Sequence, residues 1–174
     1  MSNRKKVLII GYGNPGRLDD GLGPAFASAI EKMDLPGVTV DSNYQLTVED
    51  AYTVSQHDIV IFADAEVGGH EPFSFRRIMP KTVTSFTSHS VEPEAVLAMA
   101  KELFGADTKG YILGIRGYDF DEFGEGLSEG ATANLAETLK FIKNVLIKKS
   151  FDRIEARIDE PTIAHAAHMV NGDE

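Results

Sequence analysis

The chain of 174 residues is 43% hydrophobic and 25% charged, a balance that supports one globular domain able to bury its own core without staples. It contains no cysteine, which excludes disulfides and thiolate chemistry, and its 27 acidic against 17 basic residues leave a net charge of −10 that argues against a nucleic-acid partner. No apolar run approaches the ~20 residues of a membrane span, and the run 7–10 behind the basic MSNRKK is too short for a signal peptide, so a cytoplasmic protein with no membrane partner is expected.

Strand-like and helix-like runs alternate along the chain. VLIIG (7–11) is a short, continuous apolar run that predicts a buried strand, and apolar residues at Phe26, Ala29, Ile30 and Met33 predict a helix over 24–33. GVTVD (37–41) predicts a second strand; TVEDAYTVSQH (47–57) predicts a helix with Thr47 as its cap and Asp50 as the acidic half of a capping box. DIVIFADA (58–65) predicts the central strand, while the alternation in FSFRRIM (73–79) predicts an antiparallel edge. A helix over 91–104, a strand over 110–117, an irregular loop YDFDEFGEGLS (118–128) and a long amphipathic helix over 129–149 follow, and the chain turns polar from Ser150. The expected architecture is α/β: a single-domain three-layer sandwich over 1–174, its twisted, mostly parallel sheet of about five strands covered by helices on both faces. A flexible tail is expected from about residue 150.

In open α/β sheets ligands bind beyond the carboxyl ends of the strands. That edge collects Asn14, Asp19 and Asp20 after the first strand, Asp41 after the second, Asp64 at the third, Ser88 and His89 before the third helix, and Arg116 with the 118–128 loop after the last strand. Gly11, Gly13 and Gly16 have the G-x-G-x-x-G spacing of a dinucleotide turn, with Asp41 placed for a ribose hydroxyl. Against that reading, Pro15, Gly21, Gly23 and Pro24 delay the helix, and Asp19 and Asp20 occupy the helix start where a phosphate would sit. Asp19 and Asp20 have a plain alternative role as helix caps, but one cap needs one carboxylate and leaves the other to face the site. Asp64 ends an apolar strand, so its charge must be paired, metal-bound or open to a cleft, or else it bonds nearby turn N–H groups. His89 is either a surface or capping-region histidine or a neutral ring, kept so by the following helix N-terminus and able to donate its lone pair to a metal. Two carboxylates and an imidazole form a mixed oxygen and nitrogen set suited to a divalent transition ion. His57, His70, His165 and His168 carry less weight: a helix end, a loop and a polar tail explain them.

GYGNPGRLDDGLGP (11–24), IVIFADAEVGG (59–69) and TSHSVEPEAVL (87–97), in that order and spacing, resemble the maturation endopeptidases of nickel–iron hydrogenases, and the likeness runs from about residue 7 to 145. The resemblance implies an aspartyl-type hydrolase that removes a short C-terminal extension from the hydrogenase large-subunit precursor once nickel is in place. It implies Asp20, Asp64 and His89 as the catalytic and metal-binding triad, with the nickel supplied by the substrate and no organic cofactor. Asn14, Asp19 and Arg116 become expected substrate contacts, and Asp19 or a carboxylate of the triad becomes the proton shuttle. One departure is the ending GIRGYDF (114–120), which stands where many members carry a Gly-x-x-Pro type. Two rival readings stay open: a dinucleotide-binding enzyme, and a metal-binding chaperone with the same triad that does not cleave.

Overall fold

The computed structural model describes residues 4–82, 91–148 and 151, together with the backbone of 162–163. In chain order the elements are β1 (Val7–Tyr12), a 3-10 turn (Leu18–Gly21) running into α1 (Leu22–Lys32), β2 (Val38–Asn43), α2 (Asp50–Ser55), β3 (Ile59–Val67), β4 (Phe73–Ile78), α3 (Pro93–Phe104), β5 (Lys109–Gly117), α4 (Glu129–Lys148) and β6 (Thr162–Ile163). They build one sheet in the order β2-β1-β3-β5-β4-β6. β2, β1, β3 and β5 are parallel, and β4 runs antiparallel to β5, as the alternation in 73–79 predicts. The expected five strands are all present. A sixth of two residues pairs with Ser74 and Phe75, so β4 is not the outermost strand.

Strand alternation divides the core in two. Val7 and Ile9 of β1 with Ile59 and Ile61 of β3 pack beneath α1 and α4, while Leu8, Ile10, Val60 and Phe62 pack beneath α2 and α3. Both sheet faces are buried, which is why these strands read as continuous apolar runs rather than alternating ones. Helix α1 presents Leu22, Phe26 and Ile30 to the sheet at four-residue spacing. It lies close enough to β1 that a Cβ on Gly11 would collide with the Gly23 carbonyl and with the Ala27 Cβ at 2.7 Å. That contact, rather than a phosphate, accounts for the first glycine of the G-x-G-x-x-G spacing.

Three boundaries differ from the expectation for local reasons. Helix α1 starts at Leu22 because residues 18–21 already wind as a 3-10 turn. Helix α2 covers only Asp50–Ser55, preceded by i→i+3 bonds from Asp50, Ala51 and Tyr52. Asp50 Oδ2 accepts the Thr47 N–H at 2.8 Å, which is the acidic half of the expected capping box. Strand β3 continues to Val67 because β5 runs alongside it as far as Gly117. Most of the tail expected to be flexible lies outside the described residues, but its beginning is anchored: Phe151 is buried with its ring 5.5 Å from that of Tyr111. Among the described residues no helix is long and apolar enough to cross a membrane.

Candidate functional site

The turn between β1 and α1 carries the glycines and the acidic pair, and its backbone donors can be followed one by one. Gly13 N–H donates to Asn43 O, Asn14 N–H to Asp20 Oδ2 at 2.8 Å, and Gly16 N–H to Asn14 Oδ1 at 2.9 Å. Arg17 N–H goes to Asn14 O, Leu18 N–H to Gly124 O, Asp19 N–H to Asp119 O and Asp20 N–H to Arg17 O. Every N–H from 13 to 20 therefore has an acceptor within the protein; Pro15 has none to give. A pyrophosphate cradle needs such donors turned toward the ligand. Here a carboxylate and an amide oxygen take their places. Asp41, the expected ribose contact, has its Oδ1 bonded to Ser42 N–H at 2.9 Å. Titration with NAD is expected to give no saturable heat of binding, and a saturable isotherm would reinstate the dinucleotide reading.

Asp20 is half-buried, and its Oδ2 is pinned by the Asn14 N–H. Asp64 comes to the same edge on β3. The β1–β3 pairing ends at Gly11 and Ala63, so Asp64 is the first β3 residue beyond it, opposite Gly114 of β5. It alternates with the buried Phe62 and so belongs to the face that α3 covers. Its Oδ1 accepts the Ala65 N–H at 2.8 Å. Partial burial is the main reason its pKa rises to about 7; the charges of Asp20, Glu66 and Glu92 push the same way against the Ala65 N–H. Two carboxylates thus stand near each other, each with one oxygen fixed by a backbone donor, under repulsion that a cation between them would relieve. Among the described residues no three acidic or histidine side chains gather to hold a metal ion. His89, the expected third member, lies outside the described residues, as do Ser88, His165 and His168.

No family model matches the chain, and no curated protein matches it by sequence. Solved structures do. A NiFe hydrogenase maturation protease, HycI, from Thermococcus kodakarensis KOD1 superimposes with a TM-score of 0.64 at 24% identity, covering 83% of this chain and 94% of that one. The hydrogenase 2 maturation peptidase of Thaumarchaeota archaeon SCGC_AB-539-E09 gives 0.59 at 23% identity, covering 82% and 98%. The hydrogenase maturating endopeptidase HybD from E. coli gives 0.60 at 20% identity, covering 83% and 93%. The fold is that of the hydrogenase maturation proteases.

Within this maturation-protease fold the remaining candidates divide. Asp19 was an expected substrate contact and shuttle, and the structure corrects this. It is fully buried, and its two oxygens accept four hydrogen bonds, from Tyr118 N–H, Asp119 N–H, Ser128 N–H and Ser128 Oγ–H. Burial alone would raise its pKa, but those donors outweigh it and hold the carboxyl below its ordinary value. A saturated, buried, firmly ionised group neither meets substrate nor carries a proton. It does not cap the 3-10 turn or α1 either, since neither has a side-chain cap. Asn14 shapes its own turn through Oδ1. Arg116 braces the turn after β3, with Nη1 donating to Gly69 O at 2.8 Å and its guanidinium 5.0 Å from the Tyr118 ring.

Three residues near Asp64 escaped the sequence reading. Tyr12, the unnamed x of G-x-G, has its hydroxyl pKa raised by burial and then by Asp64, Glu92 and Glu94, so it stays a proton donor. Glu66 follows Asp64 by two and shares its face by strand period, which was readable; its Oε2 accepts Ser74 Oγ–H at 3.0 Å. Glu92 sits at the α3 N-cap. A groove of ≈ 240 Å³ lined by Gly13, Pro15, Pro24, Ser42, Asn43 and Tyr44 adjoins the acidic turn. A larger cleft of ≈ 440 Å³ opens at the opposite ends of the strands, near His57 and Thr108. Its polar groups serve the fold: Thr108 Oγ–H bonds Val54 O and His57 O, and His57 Nδ1 bonds Thr53 O.

Proposed function

We propose that this chain is an endopeptidase that removes the C-terminal extension from a nickel–iron hydrogenase large-subunit precursor after nickel insertion. The observation that carries the reading is the maturation-protease fold, at whose carboxyl edge the charge of Asp20 acts on Asp64 from a separate segment. The nickel arrives in the precursor as part of the substrate. Asp20, Asp64 and His89 are its ligands in this reading, so an empty precursor offers the site nothing to grip. Asn14 and Arg116 remain the proposed contacts to the peptide, and the groove beside Gly13 gives an extended chain a place to lie.

Hydrolysis adds water across the peptide bond: the water oxygen joins the carbonyl carbon, the C–N bond breaks, and the amine leaves with a proton. One group must take a proton from water and pass it to nitrogen. Asp64 has a pKa of about 7 before the nickel-bearing substrate arrives, and once it holds the metal its other oxygen can make both transfers. The charge of Asp20 adds to the burial that keeps the Asp64 value high.

The decisive experiment incubates the protein with a nickel-loaded large-subunit precursor and weighs the product. A precursor shortened at its C-terminus supports the peptidase, whereas an intact precursor that stays bound points to the chaperone. Asp20→Asn and His89→Ala are each expected to lower cleavage by about 100-fold or more while circular dichroism stays unchanged. Cleavage at the wild-type rate in either variant removes that residue from the site.

A further inference from the structure

We propose that Asp19 is a positioning residue: its buried carboxylate ties both ends of the 118–128 loop to the turn that carries Asp20, and so fixes Asp20 beside Asp64. The proposal rests on the site described under the proposed function, and it gives the acidic pair a division of labour that its sequence does not show.

The geometry is specific. Oδ2 of Asp19 takes Tyr118 N–H at 2.8 Å and Asp119 N–H at 3.0 Å where the loop leaves β5. Where the loop enters α4, Oδ1 takes Ser128 N–H at 2.7 Å and Oδ2 takes Ser128 Oγ–H at 2.7 Å. One carboxylate thus closes a strap whose ends lie about a hundred residues along the chain from it. The strap is stitched to the turn again in its middle, by Leu18 N–H to Gly124 O at 3.0 Å and Gly124 N–H to Gly16 O at 2.9 Å. Above that seam the Arg17 guanidinium lies 5.2 Å from the ring of Phe123. On the turn's other side, Asp20 N–H bonds Arg17 O and Asp20 Oδ2 receives the Asn14 N–H. The strap and Asp20 are therefore tied to the same turn.

A neutral amide cannot replace Asp19. Asn offers one acceptor oxygen and one donor nitrogen, so whichever way it turns, an NH₂ meets a backbone N–H at a position shielded from solvent. Ser128→Ala is a milder break. It removes the hydroxyl bond to Oδ2, and the Ser128 Oγ bond from Ala131 N–H at 3.2 Å, but keeps the backbone donor.

The test reads the Asn14 amide, because its hydrogen bond ends on Asp20 itself. Amide exchange is measured by NMR for wild type, Asp19→Asn and Ser128→Ala, with Ile61 of the central strand as the reference for global opening, alongside kcat and KM on the nickel-loaded precursor. Asp19→Asn is expected to speed Asn14 exchange about tenfold or more, with Ser128→Ala between it and wild type and Ile61 unchanged in both. Cleavage is expected to fall in the same order, through kcat more than KM. The proposal is overturned if the strap amides of Tyr118 and Asp119 loosen while Asn14 exchange and kcat hold at wild-type values. It is equally overturned if Asn14 and Ile61 accelerate together, since that is loss of stability and nothing more. Should Asp19→Asn fail to fold, Ser128→Ala decides alone. Should the wild type leave the precursor intact, the peptidase reading falls, and the Asn14 exchange still decides the role of Asp19.

Discussion

Asp64→Asn is expected to stop precursor cleavage, by about 100-fold or more in kcat, and at the same time to make the folded chain more stable above pH 7. Both effects have one cause. Burial, reinforced by Asp20, Glu66 and Glu92, raises the Asp64 pKa from 3.8 to about 7. The native state therefore holds a proton that the unfolded chain releases near pH 4, and stability from this group declines as pH rises between those two values. Above pH 7 the charged side chain opposes folding by roughly 2–4 kcal/mol, the lower end allowing for its partial exposure to water. Asparagine removes the charge yet keeps an oxygen for the Ala65 N–H, which Asp64 bonds at 2.8 Å. Urea unfolding at pH 4.5 and pH 8 measures the difference: variant and wild type are expected to lie close at the lower pH and to separate further at the higher. Equal stability at pH 8 would mean that the strain at this carboxylate is absent. The kinetic counterpart is a fall in wild-type kcat/KM as pH drops below about 7, where Asp64 keeps its proton and loses its use as a base.

The sheet was readable because its central strands are buried on both faces, so β1 and β3 appear as unbroken apolar runs. The alternation of FSFRRI marked β4 as the antiparallel member for the complementary reason. That the charge of Asp20 acts on Asp64 was also readable, since strand order and the carboxyl-edge rule bring the two segments to one edge. What the sequence hides is which of two adjacent acids does what. In a 3-10 turn successive side chains point about 120° apart, so Asp19 enters the core while Asp20 stays half-buried; the partners that settle this, Tyr118 and Ser128, are distant in sequence. The glycine spacing misled for a similar reason. It satisfies a nucleotide fingerprint, but the demands behind it are close helix packing at Gly11 and a turn whose donors are all internally satisfied. Tyr12 was invisible because nothing local distinguishes an x residue whose alternate face meets Asp64 from one that meets lipophilic core.

Gly13→Val is expected to be the most damaging single change in the turn, costing roughly 3–5 kcal/mol of stability and the cleavage activity with it. Gly13 has φ of +140°, a conformation that a β-branched residue does not adopt without strain. A second penalty adds to the first: a Cβ here would be driven into the Asp20 carbonyl oxygen, with the Asp20 carbonyl carbon at 3.3 Å and Pro24 Cδ at 3.6 Å behind it. The obstruction is backbone, so no rotamer relieves it, and Asp20 must move. Moving Asp20 breaks the Asn14 N–H bond to its Oδ2 and separates it from Asp64. Gly13→Ala carries the same Cβ and keeps both penalties, dropping only the added crowding of the branch. It is expected to lower the melting temperature less than Val does, while still abolishing cleavage, because displacing Asp20 requires only the first carbon. A thermal melt and precursor assay on both variants tests the order; a cleaving Gly13→Ala would show that the turn yields elsewhere and that Asp20 is not held by Gly13.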